Sequence, residues 1–131
     1  MTAIVIIGAG QAGAALAAKL RTLGHEGPIT MIGAEPAPPY QRPPLSKAYL
    51  LGEMELERLY LRAASFWADQ KITLKLGAPV TAIDRTARTV RVGGETIAYD
   101  HLALTTGSQP RRLPASIGGA LAGVYTVRTL A

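Results

Sequence analysis

Ile4-Val5-Ile6-Ile7-Gly8-Ala9-Gly10-Gln11-Ala12-Gly13 is the stretch that decides the fold. A strand with one wet face alternates apolar and polar residues, whereas four β-branched apolar residues in a row predict a parallel strand covered on both faces. The run enters a G-x-G-x-x-G turn at Gly8, Gly10 and Gly13, and each glycine has its own task. Gly8 lets the chain leave the strand sharply, Gly10 has no Cβ to hold a pyrophosphate off the backbone, and Gly13 lets the next helix approach the strand.

The next segment therefore has to be a helix, and its composition agrees. Ala12, Leu16, Leu20 and Leu23 predict one apolar face, the intervening alanines are strong helix formers, and Gly24 stands where a left-handed cap would end the helix. Its amide-rich start, at Gln11 and Ala12, would point at any anion lying over the glycines. After Gly27-Pro28 a second apolar strand, Ile29 to Gly33, leads to Ala34 and Glu35, an acid twenty-two residues beyond Gly13. In dinucleotide-binding folds an acid about 20 residues on reaches a ribose hydroxyl. Strand, glycine turn, helix, second strand and acid together predict a dinucleotide site. The alternative is a glycine-rich turn that only packs. A triphosphate loop is disfavoured, because Ala14 and Ala15 stand where Lys and Ser or Thr are required.

Composition narrows the chemistry. With 131 residues the chain has room for one domain with a core and little room for two cofactors. Cysteine is absent, which removes disulfides, thiolate metal sites and redox pairs, so any redox work belongs to a bound cofactor. His25 and His101 lie far apart with no acid cluster, so no metal site is expected. A formal charge of +5 raises the question of nucleic acid, but the basic residues are scattered and Arg85, Arg88 and Arg91 fall on a hairpin, as a solvated face would have them. The basic surface suits an anionic cofactor or an acidic protein partner better. The first strand begins at Ile4 without a charged leader, and no apolar run nears the ~18 residues of a membrane span; a soluble, cytoplasmic protein that engages no membrane is expected.

Ala34 to Lys47 carries five prolines and reads as a stiffened loop holding Tyr40, Arg42, Ser46 and Lys47 on the ligand side of the sheet. Within it, Pro39-Tyr40-Gln41-Arg42-Pro43-Pro44-Leu45-Ser46-Lys47 resembles the amino-terminal flavin-binding segment of the ferredoxin reductase family, which includes rubredoxin, putidaredoxin and aromatic-ring dioxygenase reductases. The resemblance covers essentially the whole chain. It implies a Rossmann-like α/β FAD-binding domain, here its incomplete N-terminal portion, with a parallel sheet and an inserted antiparallel β-meander. It also implies that Arg42 pairs with FAD phosphate, that Pro43 and Pro44 wall the isoalloxazine, and that Lys47 approaches the flavin near N5 as the catalytic side chain. Glu35 receives the ribose contact, although relatives commonly carry an acid where this chain has Ala34.

Further along, a short helix or two is expected within Leu45 to Leu61, and a helix over Ala63 to Gln70 with Phe66 and Trp67 as packing anchors. A half-wet strand is expected over Lys71 to Leu76 and a meander over Val80 to Asp84, Thr89 to Val92 and Thr96 to Tyr99. The resemblance implies that Val80 offers its backbone to the adenine. The strand His101 to Thr105 ends in Thr105-Thr106-Gly107, where relatives have an Ala-Thr-Gly box, and Arg111 would add a cation beside the cofactor. Gly118 to Gly123 has no preceding strand and reads as linker, so residues 1–110 are expected to form the FAD-binding segment and residues 111–131 to lead toward an NAD(P)H-binding domain. Three readings stand on these residues. The chain is the FAD-binding part of an enzyme passing electrons from NAD(P)H to a ferredoxin or rubredoxin-type iron-sulfur protein; or it is a dinucleotide-binding module without catalytic activity; or it is an NAD-binding Rossmann module unrelated to flavins.

Overall fold

The computed structural model describes residues 1–130. Four short strands, β1 (Ile4–Ile7), β2 (Ile29–Ile32), β3 (Ile72–Lys75) and β7 (His101–Leu104), form an all-parallel sheet in the order β3-β2-β1-β7. Between β3 and β7 the chain makes an antiparallel meander of β4 (Val80–Asp84), β5 (Thr89–Val92) and β6 (Glu95–Ala98). A β-sheet thus serves as the crossover where a helix is usual.

Each face of the parallel sheet has its own cover, and the run Ile4 to Ile7 is divided between them residue by residue. Ile6 packs with Met31, Ile29 and Ile72 against helix α1 (Gln11–Thr22) and Trp67 of helix α3 (Ala64–Asp69). Val5 and Ile7 pack with Ile32 against Val90 and Val92 of the meander. An uninterrupted apolar strand is the sequence signature of this two-sided burial.

The face of α1 differs from the expected one. Gly13, Ala14 and Ala17 are buried, Leu16 and Leu20 pack only in part, and Ala12 and Leu23 are exposed. The small side chains face the sheet because close approach of helix to strand leaves no room for leucine; a Cβ on Gly13 would collide with the Gly8 carbonyl. Gly24, with φ of +92°, follows the last turn as expected. Arg21, which the sequence did not single out, fastens this end by donating to the carbonyls of His25, Gly27, Gln70 and Lys71.

The proline loop also departs in one detail. It is irregular except for a 3-10 turn at Pro43–Ser46, which tolerates prolines because its first positions need no N–H donor. The loop has a small core of its own, in which Tyr40, Leu45 and Leu59 of helix α2 (Leu56–Leu59) are buried. Tyr40 bridges to Tyr60 across this satellite.

Candidate functional site

In an open parallel sheet a ligand lies beyond the carboxyl ends of the strands, where the strand order reverses direction. Here β1 is followed by β2 and β3 on one side, while β7 joins on the other. A cavity of about 680 Å³ opens at that place, within the ~300–1,000 Å³ usual for small-molecule sites. The ends of β1, β2 and β7 contribute Ile7, Ile32 and Thr105 to its wall.

The glycine turn forms one side, and its glycines separate into two kinds. Gly8 has φ of +113° and lies against the Thr105 carbonyl, so no other residue fits there without strain. Gly13 is confined by the Gly8 carbonyl, with Thr105 Oγ1 2.9 Å and Met31 Sδ 3.2 Å from where its Cβ would be. These two are glycines because the protein's own atoms require it. Gly10 is different: a Cβ there would meet nothing within 4 Å, and the residue lines the cavity. Its lack of a side chain makes space for something outside the fold. Gly10 is also the N-cap of α1, with no side chain capping the helix and no acid in the first turn. Thr105 steadies the turn, its hydroxyl donating to the Gly8 carbonyl at 2.9 Å.

The opposite side is built from the proline loop and the end of the described chain. Glu35 lies here, and so does Arg42, but each faces the other: Arg42 Nη2 donates to Glu35 Oε1 at 2.8 Å. Arg42 Nη1 donates to the Tyr40 hydroxyl at 3.0 Å and to the Arg128 carbonyl. The Tyr40 hydroxyl in turn donates to Glu35 Oε2 at 2.5 Å. Burial, and then this bond to a carboxylate, push the Tyr40 phenol above its ordinary pKa. Arginines 42, 112 and 128 and the single acid Glu35 stand on the wall, a cationic balance that suits a diphosphate.

Of the residues singled out in the sequence, the cavity wall includes Gly8, Gly10, Ala34, Glu35, Tyr40, Arg42, Val80, Thr105 and Thr106. Gln11, Ala12, Gly13, Pro43, Pro44, Lys47, Gly107 and Arg111 lie off that wall. Lys47 is exposed, and its ammonium donates to the Pro43 carbonyl and Ser46 Oγ, both at 3.4 Å. The cleft therefore joins the first turn to the arginine end of the Pro39–Lys47 run and stops short of its lysine end. Arg112 occupies the wall in place of its neighbour Arg111.

Sequence reasoning placed Tyr40 on the ligand side of the sheet without giving it a role, and passed over Arg128. Arg128 lines the cavity, and its Nε donates to the Ser108 carbonyl at 3.1 Å. The available signal for Tyr40 was a polar aromatic two residues before an arginine in a loop too stiff to move either; Arg128 lay in a stretch read as linker. Among the described residues no group of three or more His, Asp or Glu could hold a metal ion, and no helix is long and apolar enough to cross a membrane.

A family model described as pyridine nucleotide-disulphide oxidoreductase matches residues 2–131. Rhodocoxin reductase of Rhodococcus erythropolis is 51% identical over 127 residues, which are 96% of this chain and 30% of that protein. The structure of a covalent putidaredoxin reductase–putidaredoxin complex superposes with a TM-score of 0.85 at 44% identity, over 89% of this chain and 28% of the other. A ferredoxin reductase from Rhodopseudomonas palustris superposes with a TM-score of 0.89 at 39% identity, over 98% and 32%. The chain thus spans about 30% of the length of the relatives it matches.

Proposed function

Because this chain belongs to the pyridine nucleotide-disulphide oxidoreductase family, we propose that it is the FAD-binding portion of an NAD(P)H-dependent ferredoxin or rubredoxin reductase, working in the cytoplasm and passing electrons from NAD(P)H through FAD to an iron-sulfur protein. The observation that carries this reading is Gly10, whose missing side chain opens space in the cavity and relieves no crowding inside the fold. Residues 1–110 are read as the FAD-binding segment and residues 111–131 as the path toward a domain for NAD(P)H.

Each wall of the cavity then has a task. The turn at Gly8 to Gly10 and the start of α1 would receive the diphosphate through backbone amides and the helix dipole. Glu35 would accept from a ribose hydroxyl, and Arg42 would supply positive charge beside the phosphates, with Arg112 and Arg128 adding to it. Val80, on the cavity wall, would offer its backbone to the adenine. When bound, FAD supplies the conversion between a two-electron donor and a one-electron acceptor, for which a cysteine-free chain has no thiol couple of its own. The chain's part is to bind, orient and keep water from the cofactor. Lys47 is read as the side chain nearest the redox centre, where its charge would favour the reduced form.

A second reading, a dinucleotide-binding module that catalyses nothing, is favoured by the position of Lys47, Pro43 and Pro44 off the cavity wall, with Lys47 and Pro43 exposed. One titration separates the two. The purified chain is mixed with FAD, flavin fluorescence is followed, and NADH is then added. Quenching with saturation is expected; bleaching by NADH supports the reductase reading for this chain alone, and quenching without bleaching supports the binding module. Failure to bind FAD while binding NAD would overturn the reductase reading in favour of an NAD-binding module unrelated to flavins.

A further inference from the structure

We propose that Tyr40 is a positioning residue, a hydroxyl junction that straps the segment Arg128–Leu130 onto the wall of the dinucleotide cavity and holds Glu35 toward the ligand. This rests on the dinucleotide reading of the cavity. A phenol has one hydrogen to donate and two lone pairs to accept with. All three are in use here: the Tyr40 hydroxyl donates to Glu35 Oε2 at 2.5 Å and accepts from Arg42 Nη1 at 3.0 Å and from the Leu130 N–H at 2.9 Å. These partners are five, two and ninety residues away, so one oxygen joins the acid, the cation and the end of the described chain.

The ring that carries this oxygen cannot swing. It is 5% exposed, packed with Leu45 and Leu59, and its backbone is paired with Tyr60. Leu130 lays its own side chain against the same cluster, so the strap is anchored by packing as well as by its amide. Arg42 adds a second tie through the Arg128 carbonyl, and the Arg128 guanidinium adds a third at the Ser108 carbonyl. A stretch with no regular secondary structure thereby becomes part of the cavity, with Arg128 on its wall.

A coupling follows. Any ligand with a ribose diol that engages Glu35, or with a phosphate that engages Arg42, acts on groups that share the Tyr40 hydroxyl with Leu130. Occupancy and strap are therefore coupled, and by linkage the effect is reciprocal. The strap is closed by the same residues that recognise the nucleotide.

Amide hydrogen exchange of Leu130 in the full chain, with and without FAD, tests this. In the parent protein the Leu130 amide is expected to be protected without ligand and slower still with FAD. Tyr40→Phe keeps the ring and removes the oxygen; it should speed Leu130 exchange by roughly tenfold, the order expected for one lost hydrogen bond, leave the β1 amides unchanged and weaken FAD binding several-fold. Loss of packing alone would move β1 and Leu130 together. Should the phenylalanine variant not fold, the parent protein decides: an unprotected Leu130 amide, or one indifferent to bound FAD, overturns the proposal. FAD bound normally with Leu130 exchange equal in parent and variant overturns the strap alone, whereas absence of FAD binding in the parent overturns the dinucleotide reading beneath it.

Discussion

The two walls of the cavity are made by different means. On the glycine side, position is set by backbone crowding: Gly8 and Gly13 have main-chain and side-chain atoms pressed against them, and the turn has one shape available. On the proline-loop side, position is set by polar side chains that hold one another, with Glu35, Tyr40 and Arg42 closed into a ring of hydrogen bonds and Arg128 tied in through its carbonyl. A wall of the first kind answers to volume. A wall of the second kind answers to hydrogen-bonding capacity and charge.

The sharpest way to break this contrast lies within the glycine turn itself. Gly13→Val forces a side chain into the Gly8 carbonyl and Met31, and is expected to destabilise the fold by about 3 kcal/mol, the upper range for overpacking, seen as a lower denaturation midpoint. Gly10→Val enters open space and should cost no more than about 1 kcal/mol, the scale of an altered N-cap, while removing measurable FAD retention. Equal stability losses in the two variants would show that Gly10 is also structural, and the argument from its empty surroundings would fail.

A smaller effect is expected on the polar side. Arg42→Ala should weaken FAD binding by roughly tenfold, the order of one charge-assisted hydrogen bond, with little change at the exposed turn residue Arg85→Ala measured in the same titration. The Arg42–Glu35 pair is partly exposed, so the same variant should lose only about 1 kcal/mol of stability or less. If Arg42→Ala unfolds the chain, this wall is held by crowding after all.

The least effect concerns pH. The Tyr40 phenol is raised above its ordinary value of about 10 by burial and by Glu35. Below that pH neither the folded nor the unfolded state has lost this proton, and the contribution of Tyr40 is complete. Above it the unfolded chain releases a proton that the folded state retains, so stability should fall as pH rises until the folded-state value is passed. Denaturation midpoints in the alkaline range check this, and Tyr40→Phe should flatten the slope. An unchanged slope in the variant would mean that the hydroxyl is not held as described.

Which parts of the site could be foreseen follows the same division. The glycine turn was legible because its spacing is local: the Gly8 carbonyl crowds Gly13 across five residues and a short pattern carries that information, although the Thr105 atoms that press on both glycines come from far along the chain. The meander was legible because Gly93-Gly94 and the alternating residues around it specify hairpins without outside help. The face of α1 was misjudged because hydrophobicity favours leucine, whereas the distance between helix and β1 favours alanine and glycine. The place of Arg128 could not be foreseen, since its partners Arg42 and Ser108 are eighty-six and twenty residues away.

By itself the sequence determined a two-sided parallel strand, a turn that only glycine can make, a helix after it and a loop too rich in proline to be anything else. These follow from steric limits acting over a few residues. Only the tertiary structure decided that Glu35 and Arg42 face each other, that Lys47 lies off the cavity wall, and that Arg128–Leu130 return to complete the wall through Tyr40. A hydrogen bond depends on where distant segments meet in space, and neither composition nor local pattern records that meeting.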